Sequence, residues 1–272
     1  MGKKKNLQNL TEDELELIKK AKEGTAVSSK HSMTEFQDDY TPNFNGLRFK
    51  LNIKCKTQKQ KEFLNALKNV NKSICFGIGS AGTGKSYISL AYGLTKIKDG
   101  TFDHIIMVVP TAQASGRDMA LGYLKGELED KTKPFKDVDR YTIEKILKTS
   151  ENFEYKNLTG YLIGSGIIQY EFINFMLGKT FDHSLILVNE AEQYTKDDMK
   201  LILTRIGEGS KIIITGDCEQ VNRQSIVKKQ DICGLSYTAD KLSDMEEVSI
   251  TTFDRDDIVR NPIISKILDR ME

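Results

Sequence analysis

No run of 18 apolar residues occurs in this 272-residue chain, so no helix of it is expected to span a membrane. The opening residues, Met1-Gly-Lys-Lys-Lys-Asn6, are basic, but no apolar stretch follows them, and a secretory signal is not expected. Histidine is scarce. His31, His104 and His183 are scattered beside apolar runs, without the spacing of metal ligands. The four cysteines, Cys55, Cys75, Cys218 and Cys233, lack zinc-type pairing and read as reduced thiols of a cytoplasmic protein. A surplus of either charge is missing too: 40 Lys+Arg stand against 39 Asp+Glu, a net +1. That excludes a strongly basic nucleic-acid coat and leaves room for a local basic groove. Repeats and low-complexity tracts are absent. What remains, 39% hydrophobic and 29% charged residues, is the composition of an ordinary globular protein with one large or two small domains.

Residues 1–50 differ from the rest. Thr11-Glu-Asp-Glu14 reads as a capping box, with Leu10, Leu15, Leu17 and Ile18 lining a short helix. Residues 23–46 are polar and rich in turn formers. We read 1–50 as an N-terminal arm, partly helical or mobile, and 51–272 as the main domain. From Thr57 onward, strand-like and helix-like stretches alternate. Residues 57–70 are helical, with Phe63, Leu64 and Leu67 on one face. Apolar runs at 73–78, 105–109, 185–188 and 212–215, a weaker one at 167–170 and a last one at 248–252 read as strands. This alternation predicts an α/β fold, a mainly parallel sheet flanked by helices, with ligands at the carboxyl ends of its strands.

The strongest motif is Gly79-Ser80-Ala81-Gly82-Thr83-Gly84-Lys85-Ser86, which fits the phosphate-binding G-x-x-x-x-G-K-[ST] loop at every fixed position. An apolar strand enters it and a helical stretch, 87–92, leaves it, which is the setting the motif requires. The glycines let backbone N–H groups curl around phosphate oxygens. Lys85 reaches β/γ-phosphates, the Ser86 hydroxyl ligates Mg²⁺, and the helix start adds partial positive charge. A P-loop thus predicts ATP and Mg²⁺ as ligands.

Other candidates lie at the ends of the expected strands. After 185–188 comes Asn189-Glu190-Ala191-Glu192. P-loop nucleotide hydrolases usually place an acidic pair here, the first carboxylate serving Mg²⁺ and the second activating water. Glu190 is therefore the candidate general base, with a surface carboxylate as the bland alternative. Asn189 stands at the metal position without a charge. After 212–215 comes Gly216-Asp217-Cys218-Glu219-Gln220, where Asp217 can sense the γ-phosphate and Gln220 can orient the lytic water. A bare turn is the competing reading. Gln60 is a candidate for the adenine edge, or simply part of an exposed helix start. Arg260 and Arg205 compete for γ-phosphate charge stabilisation, in cis or from a neighbouring subunit, against an ordinary surface ion pair. Lys125, Lys131 and Lys133, with Tyr123 and Phe135 interleaved and Arg117 upstream, can track a single-stranded backbone. Glu127, Glu129 and Asp130 dilute that run, and a solvated face is the commoner meaning.

Together these stretches resemble the PhoH family of ATPases, relatives of superfamily 1 helicases with a single RecA-like core. The resemblance rests on G-S-A-G-T-G-K-S at 79–86, L-G-Y-L-K-G-E-L at 121–128, F-M-L-G-K-T-F at 175–181 and N-E-A-E-Q at 189–193. L-T-R-I-G-E-G-S-K at 203–211, T-G-D-C-E-Q at 215–220 and D-I-V-R-N-P at 257–262 complete it. The chain departs from the family pattern in three places. Asn189-Glu190 replaces Asp-Glu, Val109-Pro110 replaces Arg-Pro, and Met176-Leu177-Gly178 replaces Met-Arg-Gly. The resemblance implies an ATP-hydrolysing protein of bacterial or phage type, acting on RNA or single-stranded nucleic acid as a hexameric ring. Two other classes compete: an ATP-binding scaffold that hydrolyses little because of Asn189, and a P-loop small-molecule kinase. The Gly-Asp-x-x-Gln pattern and the lack of an Arg-rich lid argue against the kinase.

Overall fold

The apolar runs of the sequence become six strands of one sheet in the computed structural model. The structure describes residues 49–110, 128–152, 154–218 and 233–261 with 263, 267 and 270, and only the backbone over 128–135. The strands are β1 (Ile74–Gly79), β2 (His104–Val109), β3 (Ile168–Phe172), β4 (Ser184–Val188), β5 (Lys211–Gly216) and β6 (Val248–Phe253). All pairings are parallel, in the order β3-β2-β4-β5-β1-β6. Among the described residues the helices that accompany them are α1 (Gln58–Lys68), α2 (Lys85–Lys98), α3 (Leu128–Thr149), α4 (Tyr155–Gly164), α5 (Lys196–Leu203) and α6 (Gly234–Lys241). The expected α/β class with a parallel, RecA-like sheet is what forms.

Parallel strands need long crossovers, and those crossovers place helices on both faces, so the central strands are apolar throughout. All five residues of β4 are buried. Alternate side chains serve opposite faces. Ile186 and Val188 join Ile106, Val108, Ile212 and Ile214 in a cluster with Met199 and Ile202 of α5 and Leu235 and Ala239 of α6. Leu185 faces the other way, toward α2. There the helix runs very close to the sheet: a Cβ on Gly93 would lie 2.7 Å from Leu185 Cδ2 and 3.0 Å from Ile105 Cδ1. A side chain at 93 would have to displace the tips of these two core side chains, under the helix that continues the loop.

Helix α1 begins at Thr57, whose hydroxyl accepts the Gln60 N–H, and it buries Phe63, Leu64 and Leu67 as its spacing predicts. Phe63 meets Phe253 of β6 edge-to-face at 5.6 Å. Its carboxyl end is held by a buried cation. Lys211, the first residue of β5, donates from Nζ to the carbonyls of Leu67 at 2.6 Å and Asn69 at 2.9 Å. The Leu67 carbonyl lies beyond the reach of the helix ladder, the Asn69 carbonyl also accepts the Lys72 N–H at 3.2 Å, and a cation there also answers the helix dipole. Burial depresses the Lys211 pKa, and the ammonium is compensated by its two acceptors.

Replacing Lys211 by Met keeps the stem and removes both hydrogen bonds. The variant should unfold with a stability lower by about 1–3 kcal/mol in urea titration, the cost of leaving the buried Leu67 carbonyl without its donor. An unchanged midpoint would mean that water replaces the ammonium at no cost.

Candidate active site

The carboxyl ends of β1, β4 and β5 face one crevice. Neighbouring strands lie about 4.8 Å apart, and β5 stands between β1 and β4, so the ends of the outer two are about 10 Å apart. The P-loop leaves β1, Asn189-Glu190 leaves β4, and Thr215-Gly216-Asp217 fills the space between them. A cleft of about 400 Å³ opens beside the loop, lined by Gly79, Ser80, Asp217, Cys218 and Phe253.

The loop backbone turns through left-handed conformations at Gly79, Gly82 and Gly84, with φ of 141°, 88° and 87°. At two of these positions glycine is required by space as well. A Cβ on Gly79 would lie 2.1 Å from the Phe253 carbonyl oxygen, and one on Gly84 would lie 2.9 Å from Gln60 Nε2. Lys85 is 8% exposed, and its ammonium lies over the loop. Nζ donates to the carbonyls of Gly79 at 2.5 Å and Ser80 at 2.8 Å and to Thr83 Oγ1 at 3.1 Å. Burial lowers its pKa, while the nearby carboxylates of Asp217, Glu190 and Glu192 oppose that shift. Ser86 is half-buried in the first turn of α2.

Gln60 is buried and ties the loop down: its Nε2 donates to the Thr83 carbonyl at 2.8 Å, and its Oε1 accepts the Lys56 N–H at 2.6 Å. The exposed helix start of the sequence reading is thereby corrected, because the side chain points inward from α1 onto the loop. The far end of the chain also touches the loop. The Val259 N–H donates to the Gly82 carbonyl at 3.0 Å, which sets exposed Arg260 next to its own P-loop.

Glu190 carries the most constrained backbone of the site. Its φ of 51° and ψ of 48° are left-handed, uncommon for a residue with a Cβ, and such strain gathers at functional positions. Tyr194 fixes the turn that follows, donating from its buried hydroxyl to the Val108 carbonyl of β2 at 3.1 Å. Two residues beyond Glu190, Glu192 is 3% exposed, and its Oε2 accepts the Asp217 N–H at 3.0 Å. Burial, then a hydrogen bond with the Glu190 carboxyl, pushes the Glu192 pKa up to about 8. Glu192 is thus held protonated to well above the usual carboxylate range at the end of β4. Asn189 is engaged as well: its Oδ1 accepts the Thr215 hydroxyl at 2.9 Å.

The fold therefore gathers Gln60, residues 79–86, Asn189, Glu190, Asp217 and Arg260 at one crevice. Arg205 is not among them. Helix α5 runs back from the β4 end, so Arg205 lies at the amino ends of the strands, where its guanidinium donates to the Lys179 carbonyl and Thr204 Oγ1. It cannot serve the nucleotide site of its own subunit, which corrects the cis reading of this residue. Gln220, Lys125, Arg117, Tyr123 and the arm over 1–48 lie outside the described residues. So do the side chains of Lys131, Lys133 and Phe135, whose backbone is in α3. Glu192 was missed as a residue in its own right, although a second acid two places after Glu190 was a visible signal. The Val259–Gly82 contact had none.

The raised Glu192 pKa has a measurable consequence. A carboxyl held protonated in the folded chain releases its proton near 4.5 when unfolded. Its contribution to stability is thus full below that pH and is lost as pH rises toward 8. Glu192→Gln keeps an oxygen for the Asp217 N–H and has nothing to titrate. Its melting temperature relative to the parent should therefore rise from pH 5 to pH 8 by at least about 2–4 °C, the equivalent of ~1 kcal/mol in a domain of this size. A gap that stays constant with pH would show that Glu192 is ionised throughout.

Comparison with known proteins agrees with the geometry. The profile of the family described as "PhoH-like protein" matches residues 52–272. The PhoH-like protein of Bacillus subtilis (strain 168) is 32% identical over 234 residues, 86% of this chain and 67% of its own length. The PhoH-like protein of Mycobacterium tuberculosis (strain CDC 1551 / Oshkosh) is 31% identical over 217 residues, 80% of this chain and 57% of its own. Protein PhoH of Escherichia coli (strain K12) is 28% identical over 218 residues, 79% and 57% of the two chains. The chain spans roughly three-fifths to two-thirds of the length of these bacterial relatives. No helix among the described residues is long and apolar enough to cross a membrane. On the strength of this match from residue 52 to residue 272, the chain belongs to the PhoH-like protein family.

Proposed function

We propose that the protein binds ATP with Mg²⁺ at the crevice of β1, β4 and β5 and hydrolyses it, with Glu190 as general base. The observation that carries this reading is the left-handed Glu190 at the end of β4, across β5 from the buried Lys85 ammonium. The residues present suit a nucleotide. Loop N–H groups and the α2 start form an anion cradle. Lys85 exchanges the neutral carbonyls of Gly79 and Ser80 for charged phosphate oxygens, a stronger pairing. Ser86 holds the Mg²⁺, which supplies charge neutralisation at the phosphates. Gln60 fixes the loop and has amide capacity left for an adenine edge. Asp217 and Gln220 orient the attacked phosphate and the water. Glu190 takes the proton of that water, with the buried Glu192 carboxyl beside it.

Arg260, beside its own P-loop, is placed for charge stabilisation in cis, while Arg205 can reach only a neighbouring subunit's nucleotide. One core supplies half of a closed nucleotide cleft, so assembly as a ring, a hexamer by family resemblance, belongs to this reading. So do single-stranded nucleic acid, with RNA favoured, as the substrate of the motor, the path being Lys125, Lys131 and Lys133 gathered around the ring, and a cytoplasmic location. A second reading, an ATP-binding scaffold of low turnover, is favoured by one observation: Asn189 Oδ1, where a metal-serving carboxylate is usual, already accepts the Thr215 hydroxyl.

Phosphate release from ATP separates the two readings. Glu190→Gln should lower turnover about 10²–10⁴-fold with little change in ATP affinity, since a general base acts on the transition state. Lys85→Ala should abolish binding itself. If Glu190→Gln leaves a slow parent unchanged and Asn189→Asp raises turnover, the scaffold reading stands. If neither substitution matters, Glu190 is not the base.

Binding of single-stranded RNA should be salt-sensitive, its log affinity falling with log salt by about 0.7 per phosphate neutralised. Charge reversal of Lys125, Lys131 and Lys133 to Glu should abolish it while ATP binding persists. Undiminished RNA binding would place the path elsewhere.

A further inference from the structure

The stretch that leads into α1 is unusually basic. Residues 49–61 hold Lys50, Lys54, Lys56, Lys59 and Lys61 and no acid, in a chain whose net charge is +1. Phe49 is buried and Leu51, Ile53 and Cys55 are half-buried, while Lys50, Asn52, Lys54 and Lys56 between them are exposed. An extended segment laid against a surface alternates in this way. Its apolar side chains anchor it, and its lysines stand out on the other side. Lys54 and Lys56 form no ion pair among the described residues.

This strap is fixed to the carboxyl end of α3. The Lys50 N–H donates to Asn152 Oδ1 at 2.9 Å, and Asn152 Nδ2 donates to the Lys50 carbonyl at 2.8 Å and the Leu147 carbonyl at 2.9 Å. The Asn52 N–H donates to Ser150 Oγ at 3.0 Å. At its other end the strap reaches the nucleotide loop, since the Lys56 N–H donates to the same Gln60 amide that holds the Thr83 carbonyl. The end of α3 touches the start of α2 as well, where the Tyr87 hydroxyl lies 3.2 Å from Thr149 Oγ1.

Helix α3 buries Ile143, Ile146 and Leu147. Val138, Tyr141, Lys145 and Lys148, at helical spacing, share another face, and all four are exposed. Tyr141 is 70% exposed and Val138 67%, so neither contributes much to the core. Lys148 Nζ lies 5.8 Å from the centre of the Tyr155 ring. Acids flank the stripe. Glu144 pairs with Arg140 at 3.4 Å, Glu151 meets Lys50 at 3.8 Å, and Asp137 and Glu154 are exposed beside it. The stripe runs toward Asn152, and the strap continues from there with Lys50, Lys54 and Lys56.

We propose that this surface, the exposed stripe of α3 with the strap, binds single-stranded nucleic acid, its lysines holding phosphates and Tyr141 stacking on a base. A row of cations along a fixed, extended backbone complements a linear polyanion. The exposed ring selects among polyanions. A base of a single strand offers it a π-face, whereas a duplex keeps its bases stacked inside and an acidic peptide or polyphosphate has none to offer. Neither the lysines nor the ring reads base edges, so binding is tolerant of sequence. The choice of nucleic acid as partner rests on the reading under Proposed function, but these residues are other than Lys125, Lys131 and Lys133. Lys131 and Lys133 stand one to two turns earlier on the same helix, so one strand can follow both sets.

The test uses the full chain and a labelled oligouridylate, with inorganic polyphosphate as a polyanion without bases. Tyr141→Ala should weaken oligouridylate binding about 5- to 150-fold, the range of one stacked base, and leave polyphosphate binding as in the parent. Tyr141→Phe keeps the ring and should bind as the parent does. Lys54→Gln combined with Lys56→Gln should weaken binding of both polymers. It should also flatten the dependence of log affinity on log salt by about 1.4, two phosphate contacts at about 0.7 each. In the unaltered chain, oligouridylate should protect Lys54, Lys56, Lys145 and Lys148 from amine acetylation read by peptide mass analysis, a measurement that depends on no variant. Protection confined to other lysines, or a Tyr141→Ala chain that binds oligouridylate as the parent does, overturns the surface. If charge reversal at Lys125, Lys131 and Lys133 abolishes binding while the variants at 54, 56 and 141 retain it, the nucleic-acid reading stands and this surface fails. If the unaltered chain binds no single strand, both fail.

Discussion

A single buried cation organises the crevice. Lys85 sits out of water, and its charge is tolerated because three loop oxygens accept from it and the acidic side chains of Asp217 and Glu190 lie nearby. Each of those acids is there for a reason of fold: Asp217 ends β5, and Glu190 ends β4. Remove the cation, and acids at the ends of adjacent strands would repel. Remove the acids, and the ammonium would have only dipoles for company. The loop, the sheet order and the acidic turn thus depend on one another through charge, in a medium where charge interactions are strong.

Most of this was legible before the fold was seen, and for identifiable reasons. The four strongly apolar strands came out of composition alone, because a parallel strand buried on both faces cannot hide polar residues. The observed β3, Ile168–Phe172, was the weakest reading because three of its five residues are only half-buried at the edge of the sheet. The P-loop and Asn189-Glu190 were legible because their chemistry depends on local order along the chain. What escaped was long-range. Gln60 was read for its amide, and nothing local says that both ends of that amide meet backbone. Nor does any pattern bring Val259 to Gly82, more than 170 positions away. For Arg205 the cis and neighbouring-subunit alternatives stayed open, because residue type is local, while the direction in which a helix carries it is not.

The acidic turn shows how an unusual residue is absorbed. Asn189 lacks the charge usual at its place, and Glu192, two residues on, brings a carboxyl into the same region. That carboxyl holds a proton and is packed under the Asp217 N–H. The charge present at the end of β4 therefore depends on where one proton resides, rather than being fixed by residue identity.

The close approach at Gly93 has a mechanical meaning. A helix lying against Leu185 and Ile105 with no side chain between sits closer to the sheet than any larger residue at 93 would let it, and α2 is the direct continuation of the P-loop. The loop therefore stands on a close-packed base. Any displacement of the loop would be felt first by the segments hydrogen-bonded to it: α1 through Gln60, and Val259 through its N–H to Gly82.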